Sequence, residues 1–177
     1  MTRTDTDSPG ERGPLLDRFL DRLDDFDVSH TLVTPAGVPD AVDAVASDPA
    51  VGIGLPDGLG TLPERVSTDW SPATLRTAAT GVTPASFGIA DYGSLVLPTT
   101  TDGVEPVSLF AEAHVAVLAA DDVVPGMADA LTRLGDQFRA DAESAILATG
   151  PSATADMGAL VKGAHGPKTV HAVVVRS

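Results

Sequence analysis

The segment 145–167 holds the residue types best suited to binding a ligand. It begins with an apolar run, 145–148, that is typical of a β-strand, and continues into Thr-Gly-Pro-Ser at 149–152. Glycine and proline end a strand, and the side-chain oxygen of Ser152 or Thr154 can then cap a short helix. The pattern predicts a strand, turn and helix whose free backbone N–H groups lie beyond the carboxyl end of a strand. That is where α/β proteins bind anions.

Two further residues of this segment suit an anion site. Asp156 falls in the first turn of the predicted helix, where a carboxylate is favourable, and His165 lies in a glycine-rich loop before the last strand. The competing interpretations are an ordinary turn with a hydroxyl cap and a structural histidine. The segment has neither the glycine spacing of a dinucleotide fingerprint nor the Gly-Lys-Ser/Thr of a P-loop.

A second group of candidate residues surrounds a predicted tight turn. Asp91, Tyr92 and Ser94 place a carboxylate, a phenol and a hydroxyl there, and Thr99 begins a hydroxyl-rich loop after the next strand. Asp91 is the candidate general base, and an Asx-turn is the alternative that needs no ligand. The hydroxyls of this loop could meet a ligand at the same sheet edge as the turn, and a solvated loop is the alternative. The absence of a Gly-x-Ser-x-Gly elbow argues against a serine hydrolase.

Metal and thiol chemistry are not expected of this chain. The sequence has no cysteine, which excludes disulfides, a thiol nucleophile and iron–sulfur clusters held by its own thiolates. His30, His114 and His171 have no partner at ligand spacing, so no zinc site is predicted.

The charge balance is strongly acidic, with a net charge of −14. Asp outnumbers Glu by 20 to 5, and Lys occurs twice against nine Arg. An ordinary acidic surface is one interpretation, but the scarcity of lysine favours adaptation to a cytoplasm of molar salt, where the Debye length falls to ~3 Å. In either case no basic stripe exists for nucleic acid.

The order of elements predicts a three-layer α/β domain with a mostly parallel sheet. Residues 1–10 are predicted to be disordered, and 11–177 to form one domain. No signal peptide or membrane-spanning run is apparent, so we expect a soluble, cytoplasmic protein. Predicted helices cover 14–26, 39–46, 72–79 and 125–140, and predicted strands cover 28–34, 51–55, 87–90, 94–97, 114–119, 145–148 and 170–175.

The order of several short motifs resembles one known family. The motifs are Gly81-Val82-Thr83, the run 89–97 (Ile-Ala-Asp-Tyr-Gly-Ser-Leu-Val-Leu), Val107-Ser108-Leu109, Val123-Val124-Pro125, the run 149–156 and the run 163–167. In this order they resemble LUD-domain proteins of the LutC/YkgG type, the small subunits of lactate utilisation. The resemblance covers about 28–176 and is strongest over 81–176.

This resemblance implies a Rossmann-like fold of the NagB/RpiA/CoA-transferase type. It also implies an accessory role beside two larger iron–sulfur subunits that oxidise L-lactate to pyruvate, with the clusters on those partners and no cofactor on this chain. Ligand contacts, including Thr154 from the capping argument, would fall on Gly93, Ser94, Thr99, Gly150, Ser152, Thr154, Asp156 and His165.

The chain departs from the family pattern at three places. Asp-Tyr-Gly-Ser at 91–94 replaces Glu-Thr-Gly-Thr, Ala153 replaces an Arg, and Gly158 replaces an acid. The first change shortens the reach of a carboxylate, and the second removes a cation that would meet an anionic substrate.

Two other functions remain open on the residues alone. One is a stand-alone enzyme acting on a small anionic metabolite (a sugar phosphate, an acyl-CoA or a carboxylate), with Asp91 as base and the amides after Gly150 binding the anion. The other is a sensor that binds such a ligand without turnover.

Overall fold

The centre of the molecule is a six-stranded parallel sheet. The computed structural model describes residues 13–140, 144–156, 159–163 and 165–176, so the predicted disordered segment 1–10 lies outside the described residues. Every pairing in this sheet is parallel, which confirms the predicted fold class. In spatial order the strands are β1 (Val28–Val33), β12 (Thr169–Val175), β7 (Ala113–Ala119), β4 (Thr80–Pro84), β2 (Ala50–Gly52) and β3 (Val66–Ser67).

A second, four-stranded sheet of mixed direction packs beside the first. Its order is β8 (Val123–Val124), β5 (Phe87–Ile89), β6 (Ser94–Pro98) and β9 (Ala145–Ala148). β5 and β6 form an antiparallel hairpin around Gly93, at the predicted tight turn. β9 is antiparallel to β6, with Leu95 opposite Ala148 and Pro98 opposite Ala145. The sequence pattern predicted β5, β6 and β9, but it predicted neither β8 nor the separate sheet.

Five α-helices surround the two sheets in the described part of the chain. They are α1 (Pro14–Asp25), α2 (Val38–Val45), α3 (Pro72–Leu75), α4 (Val104–Phe110) and α5 (Met127–Ala140). In α1 the side chains of Leu16, Phe19, Leu20 and Leu23 are buried, because this spacing places them on one face of a helix. Ser71 caps α3 through a reciprocal pair of hydrogen bonds with Thr74. No helix among the described residues combines the length and hydropathy needed to cross a bilayer.

The core lies on both faces of the parallel sheet. α2 covers one face, where Val38 and Val42 pack with Val115 and Val173. α1, α4 and the second sheet cover the other face in a larger cluster that includes Leu95 and Leu118. α5 covers the far side of the second sheet with Ala130 and Leu134.

The segment after β9 differs from the prediction. Residues Ala153–Asp156 form strand β10, which pairs antiparallel with β11 (Ala159–Lys162). The predicted helix capped by Ser152 or Thr154 is therefore wrong, because the backbone groups of this segment enter a β-ladder instead. Thr154 and Asp156 consequently belong to a strand, and Asp156 does not lie at a helix N-terminus.

Two elements that the sequence patterns did not predict, β4 and α4, pack against each other. Gly81 of β4 makes this possible, because a Cβ atom there would overlap the carbonyl group of Val107 in α4. The hydroxyls of Thr80 and Thr83 are buried yet hydrogen-bonded, to Ser47 and His114 respectively. A strand that contains buried threonines and a central glycine does not show the pattern of apolar residues by which strands are predicted.

Candidate functional site

A cavity of about 350 Å³ lies between the turn after β9 and the loop before β12. Three residues predicted from the sequence line it, namely Gly150, Ser152 and His165, together with Thr149. Its other walls come from Leu97, Ser108, Leu109, His114, Ile146, Leu147, Ala148, Pro151, Ala153, Gly166, Pro167 and Val170. The volume is within the range of small-molecule sites.

The turn and the loop are joined by backbone hydrogen bonds around Ser152. Its N–H donates to the carbonyl of Pro167 (2.9 Å), and its own carbonyl accepts from the N–H of Gly163 (2.8 Å). Gly166 lies so close that a Cβ atom there would be 3.1 Å from the Cβ of Ser152. The two C-terminal motifs, 149–156 and 163–167, are therefore one structural unit.

His114 also lines this cavity, although the sequence analysis considered it only as a metal ligand. It is buried at the start of β7, and its Nε2 lies 2.9 Å from the hydroxyl oxygen of Thr83. Burial lowers the pKa of His114 to about 4, so the ring is neutral at neutral pH. A polar residue in an otherwise apolar run, 113–119, was the available signal.

The predicted residues around the β5–β6 turn lie outside this cavity. Asp91 forms an ion pair with Arg18 of α1 (Oδ1 to Nη1, 3.1 Å), and both side chains are about half exposed (48% and 47%). Gly93 has φ +58°, and a Cβ atom there would lie 2.7 Å from the carbonyl carbon of Arg22. The packing of α1 against this turn thus requires glycine at position 93, whether or not a ligand binds there.

Ser94 is nevertheless connected to the cavity through Thr149. The two hydroxyl oxygens are 2.6 Å apart, at the start of β6 and just beyond β9. Ser94 is 2% exposed, so its hydroxyl supports the cavity wall from behind and Thr149 is the one of the pair that lines the cavity.

Thr99 lies at the opposite end of β6. Its hydroxyl donates to the carboxylate of Glu105 (2.9 Å) and lies 2.7 Å from the hydroxyl oxygen of Ser144. The expectation that Thr99 shares a sheet edge with the other candidates is wrong, because β6 and β9 are antiparallel and their carboxyl ends point apart. Five residues of extended chain separate Thr99 from Ser94 by about 17 Å, too far for one small ligand.

Gly150 turns the chain against the end of α1. Its φ is +77°, and a Cβ atom there would lie 2.7 Å from the carbonyl oxygen of Phe26. Glycine is needed here for both reasons, whether or not a ligand approaches. The ligand-binding roles of the predicted residues thus stay predictions, and only Gly150, Ser152 and His165 are shown together at one cavity.

The cavity has both polar and apolar walls, and neither Lys nor Arg is among its described lining residues. Its polar side chains are hydroxyls and imidazoles, and Ala153 lines it where an Arg is expected from the resemblance. No group of three or more metal-ligating side chains occurs in the described part of the chain. The arrangement suits hydrogen bonding to a small ligand or to a partner's chain.

The fold and this C-terminal unit define a Rossmann-like α/β protein whose candidate site is built from the β9–β10 turn and the loop before β12. The model of the family described as LUD domain matches residues 63–175, which is more than half of the chain. The chain belongs to the LUD-domain family.

Comparisons with individual proteins agree with this assignment. "Lactate utilization protein C" of Deinococcus radiodurans is 27% identical over 176 residues, with 95% of this chain and 82% of that protein covered. The protein of the same name from Oceanobacillus iheyensis is 28% identical over 102 residues, 55% of this chain and 44% of that protein. A crystal structure of a DUF162 family protein from Deinococcus radiodurans superposes with a TM-score of 0.68 at 24% identity, covering 91% of this chain and 96% of that one.

Proposed function

We propose that the protein acts in lactate utilisation, as an accessory subunit of a cytoplasmic iron–sulfur system that oxidises L-lactate to pyruvate. The observation that carries this proposal is the similarity to lactate utilization protein C of Deinococcus radiodurans, which extends over 95% of this chain. A match of that extent covers the whole α/β scaffold as well as the C-terminal unit. It therefore supports a shared role better than a local motif does.

The sequence indicates which part of this proposed system the chain supplies and which part its partner subunits supply. The chain has no cysteine, so the clusters that carry the electrons belong to partner subunits in this proposal. This chain contributes the cavity next to Ser152, as a ligand-binding or docking site. Hydroxyl and imidazole groups line that cavity without Lys or Arg among its described residues. This favours a hydrogen-bonded ligand or a partner's main chain over a bound multivalent anion.

A stand-alone enzyme receives less support from the site. Asp91, the candidate base, is about half exposed and ion-paired with Arg18, and it does not line the cavity. A general base must reach the proton that it removes, so a reaction in this cavity needs another residue.

Growth on lactate tests the proposal. A strain of the native host that lacks this protein is expected to grow poorly on L-lactate and normally on pyruvate, because only the oxidation step is impaired. Complementation with the wild-type chain restores growth. Normal growth of the deletion strain on L-lactate, with no second copy of the gene present, would contradict the proposal.

Copurification tests the role of partners separately. Tagged protein isolated from lactate-grown cells in molar KCl is expected to carry cysteine-rich, iron-containing subunits in stoichiometric amounts. Recovery of this chain alone would contradict the accessory-subunit role. A sensor or a stand-alone enzyme would then be the better explanation.

A further inference from the structure

A groove that contains two basic side chains runs along the amino ends of the parallel strands. We call it the amino-edge groove and define it by Arg76, Phe110, Glu112, His165 and Lys168. Its volume is about 680 Å³. None of these residues except His165 was predicted to belong to a site, since ligands of parallel sheets are expected at the carboxyl edge.

The backbone of the amino-edge groove is fixed by the strands that begin there. The N–H of Ala113 donates to the carbonyl of Ala79 (2.9 Å), and the N–H of Lys168 donates to the carbonyl of Glu112 (2.7 Å). These bonds tie together the starts of β4, β7 and β12. Side chains that project from this edge therefore start from a rigid base.

Arg76 is exposed in the amino-edge groove and has no carboxylate partner in the part of the chain that the structure describes. Most other arginines of the described chain pair with aspartate, namely Arg18, Arg22, Arg65, Arg133 and Arg139. Arg76 forms no ion pair with another described residue, although acidic residues outnumber basic ones 25 to 11 in the chain. A free guanidinium on so acidic a protein is a ready partner for a carboxylate or phosphate.

Lys168 supplies a second cation to the same groove. Gly163, at φ +79°, leaves room for the stem of Lys168, because a Cβ atom there would overlap that stem. The ammonium lies 2.7 Å from Oε1 of Glu112 in a pair that is half exposed or more. An ammonium has three donors, so Lys168 can hold Glu112 and still donate to a bound anion.

An exposed aromatic ring completes the groove. Phe110, at the end of α4, is 66% exposed, more than any other large apolar side chain of the described chain. Leu109, His165 and Gly166 line both this groove and the smaller cavity, so the two spaces are adjacent. An apolar or aromatic group bound against Phe110 would have room to extend toward the smaller cavity.

We propose that the amino-edge groove binds an organic anion. Arg76 and Lys168 hold its carboxylate or phosphate, and its aromatic or apolar body packs on Phe110. The proposal does not depend on the role in lactate utilisation. It uses none of the predicted site residues around the β5–β6 turn.

Calorimetric titration of the full chain with two aromatic anions that differ in their head group tests the proposal. The probes are phenyl phosphate and 3-phenylpropionate, with benzyl alcohol as the uncharged control. Saturable binding of at least one anion, and none of benzyl alcohol, is expected at low salt. The anion that binds with the higher affinity then identifies phosphate or carboxylate as the preferred head group.

Matched arginine variants locate the binding site. Arg76→Gln is expected to weaken the binding of the anion about tenfold or more, since hydrogen bonds to charged groups are among the strongest polar contacts. Arg139→Gln is the control, because it removes the same charge from an exposed arginine that lies on α5 and pairs with Asp136. Phe110→Ala is expected to weaken binding as well, through the loss of the apolar surface.

Two outcomes would overturn the proposal. One is the absence of saturable binding of both anions up to about 10 mM, where even weak specific sites fill. The other is an equal affinity of the wild type, Arg76→Gln and Arg139→Gln, which would place the binding elsewhere. Thermal unfolding of each variant confirms that it is folded at the temperature of titration.

Discussion

The hydroxyl oxygens of Ser94 and Thr149 lie 2.6 Å apart and connect the start of β6 to the residue after β9. Ser94 is 2% exposed, so this contact lies behind the wall of the candidate cavity. The bond links the hairpin motif of the sequence to the C-terminal motif, which are 55 residues apart in the chain. The position of Thr149 in the cavity wall therefore depends on Ser94.

Removal of the Ser94 hydroxyl tests this connection. Ser94→Ala is expected to lower the free energy of unfolding by about 1 kcal/mol, because one hydrogen bond is lost while the exposed Thr149 can turn to water. Thr149→Val keeps the shape of the side chain and serves as the second arm of a double-mutant cycle in urea. Strictly additive effects would show that the two hydroxyls do not interact.

The sequence predicted strands and helices well where one side-chain pattern dominates. The buried run at 114–119 and the amphipathic stretch before Ala140 became β7 and α5 with small shifts of their ends. β4 was not predicted, because Gly81 and the buried threonines break the apolar pattern that is typical of a buried strand. Assignment to the second sheet depends on contacts between distant segments, and periodicity contains no information about these.

The candidate site was predicted in part. The motifs at 149–156 and 163–167 do meet, at Ser152, but as a turn between strands and a loop. The helix prediction failed because a hydroxyl after Gly-Pro suits a helix cap and a strand start equally. The pairing of β10 with β11 decided between them. Thr99 was misplaced because β6 and β9 are antiparallel, whereas a mostly parallel sheet was predicted.

The close contact of Gly150 with α1 gives a second prediction. Gly150→Ala is expected to destabilise the protein by about 2 kcal/mol or more, because the residue has φ +77° and its Cβ would press on the carbonyl of Phe26. Gly54→Ala is the matched control, since nothing lies within 4 Å of a Cβ there. Chemical denaturation measures the free energy of unfolding of both variants. A Gly150→Ala protein as stable as Gly54→Ala would refute the packing explanation for this glycine.

Two buried histidines predict how stability depends on pH. Burial lowers the pKa of His114 and of His171 to about 4, and the nearby His30 adds to the effect at His171. The unfolded chain takes up these protons near pH 6.5, whereas the folded chain does not until about pH 4. The free energy of unfolding is therefore greatest above pH 6.5. It falls on acidification by up to about 1.4 kcal/mol per pH unit for each histidine.

The contribution of His171 can be isolated by substitution. Urea unfolding of His171→Gln between about pH 5 and 6.5 is expected to show a shallower decline than the wild type, since one buried imidazole is gone. His165→Gln is the control because its side chain is exposed. Parallel curves for wild type and His171→Gln would mean that His171 contributes nothing to the acid sensitivity.

The acidic composition predicts stabilisation by salt. With a net charge of −14, repulsion between carboxylates opposes folding at low ionic strength. Raising KCl from about 0.1 M to about 1 M shortens the Debye length from ~10 Å to ~3 Å and is expected to raise Tm by several degrees. Scanning calorimetry in a KCl series measures this. A Tm that stays constant or falls with salt would contradict adaptation to a saline cytoplasm.

The role in lactate oxidation is tested most directly by an add-back assay. Extracts of the native host that lack this protein are supplied with L-lactate and an artificial electron acceptor, in molar KCl, with and without the purified chain. We predict slow reduction of the acceptor without the protein and restoration by the wild-type chain in proportion to the amount added. Equal rates with and without the protein would contradict the proposed accessory function.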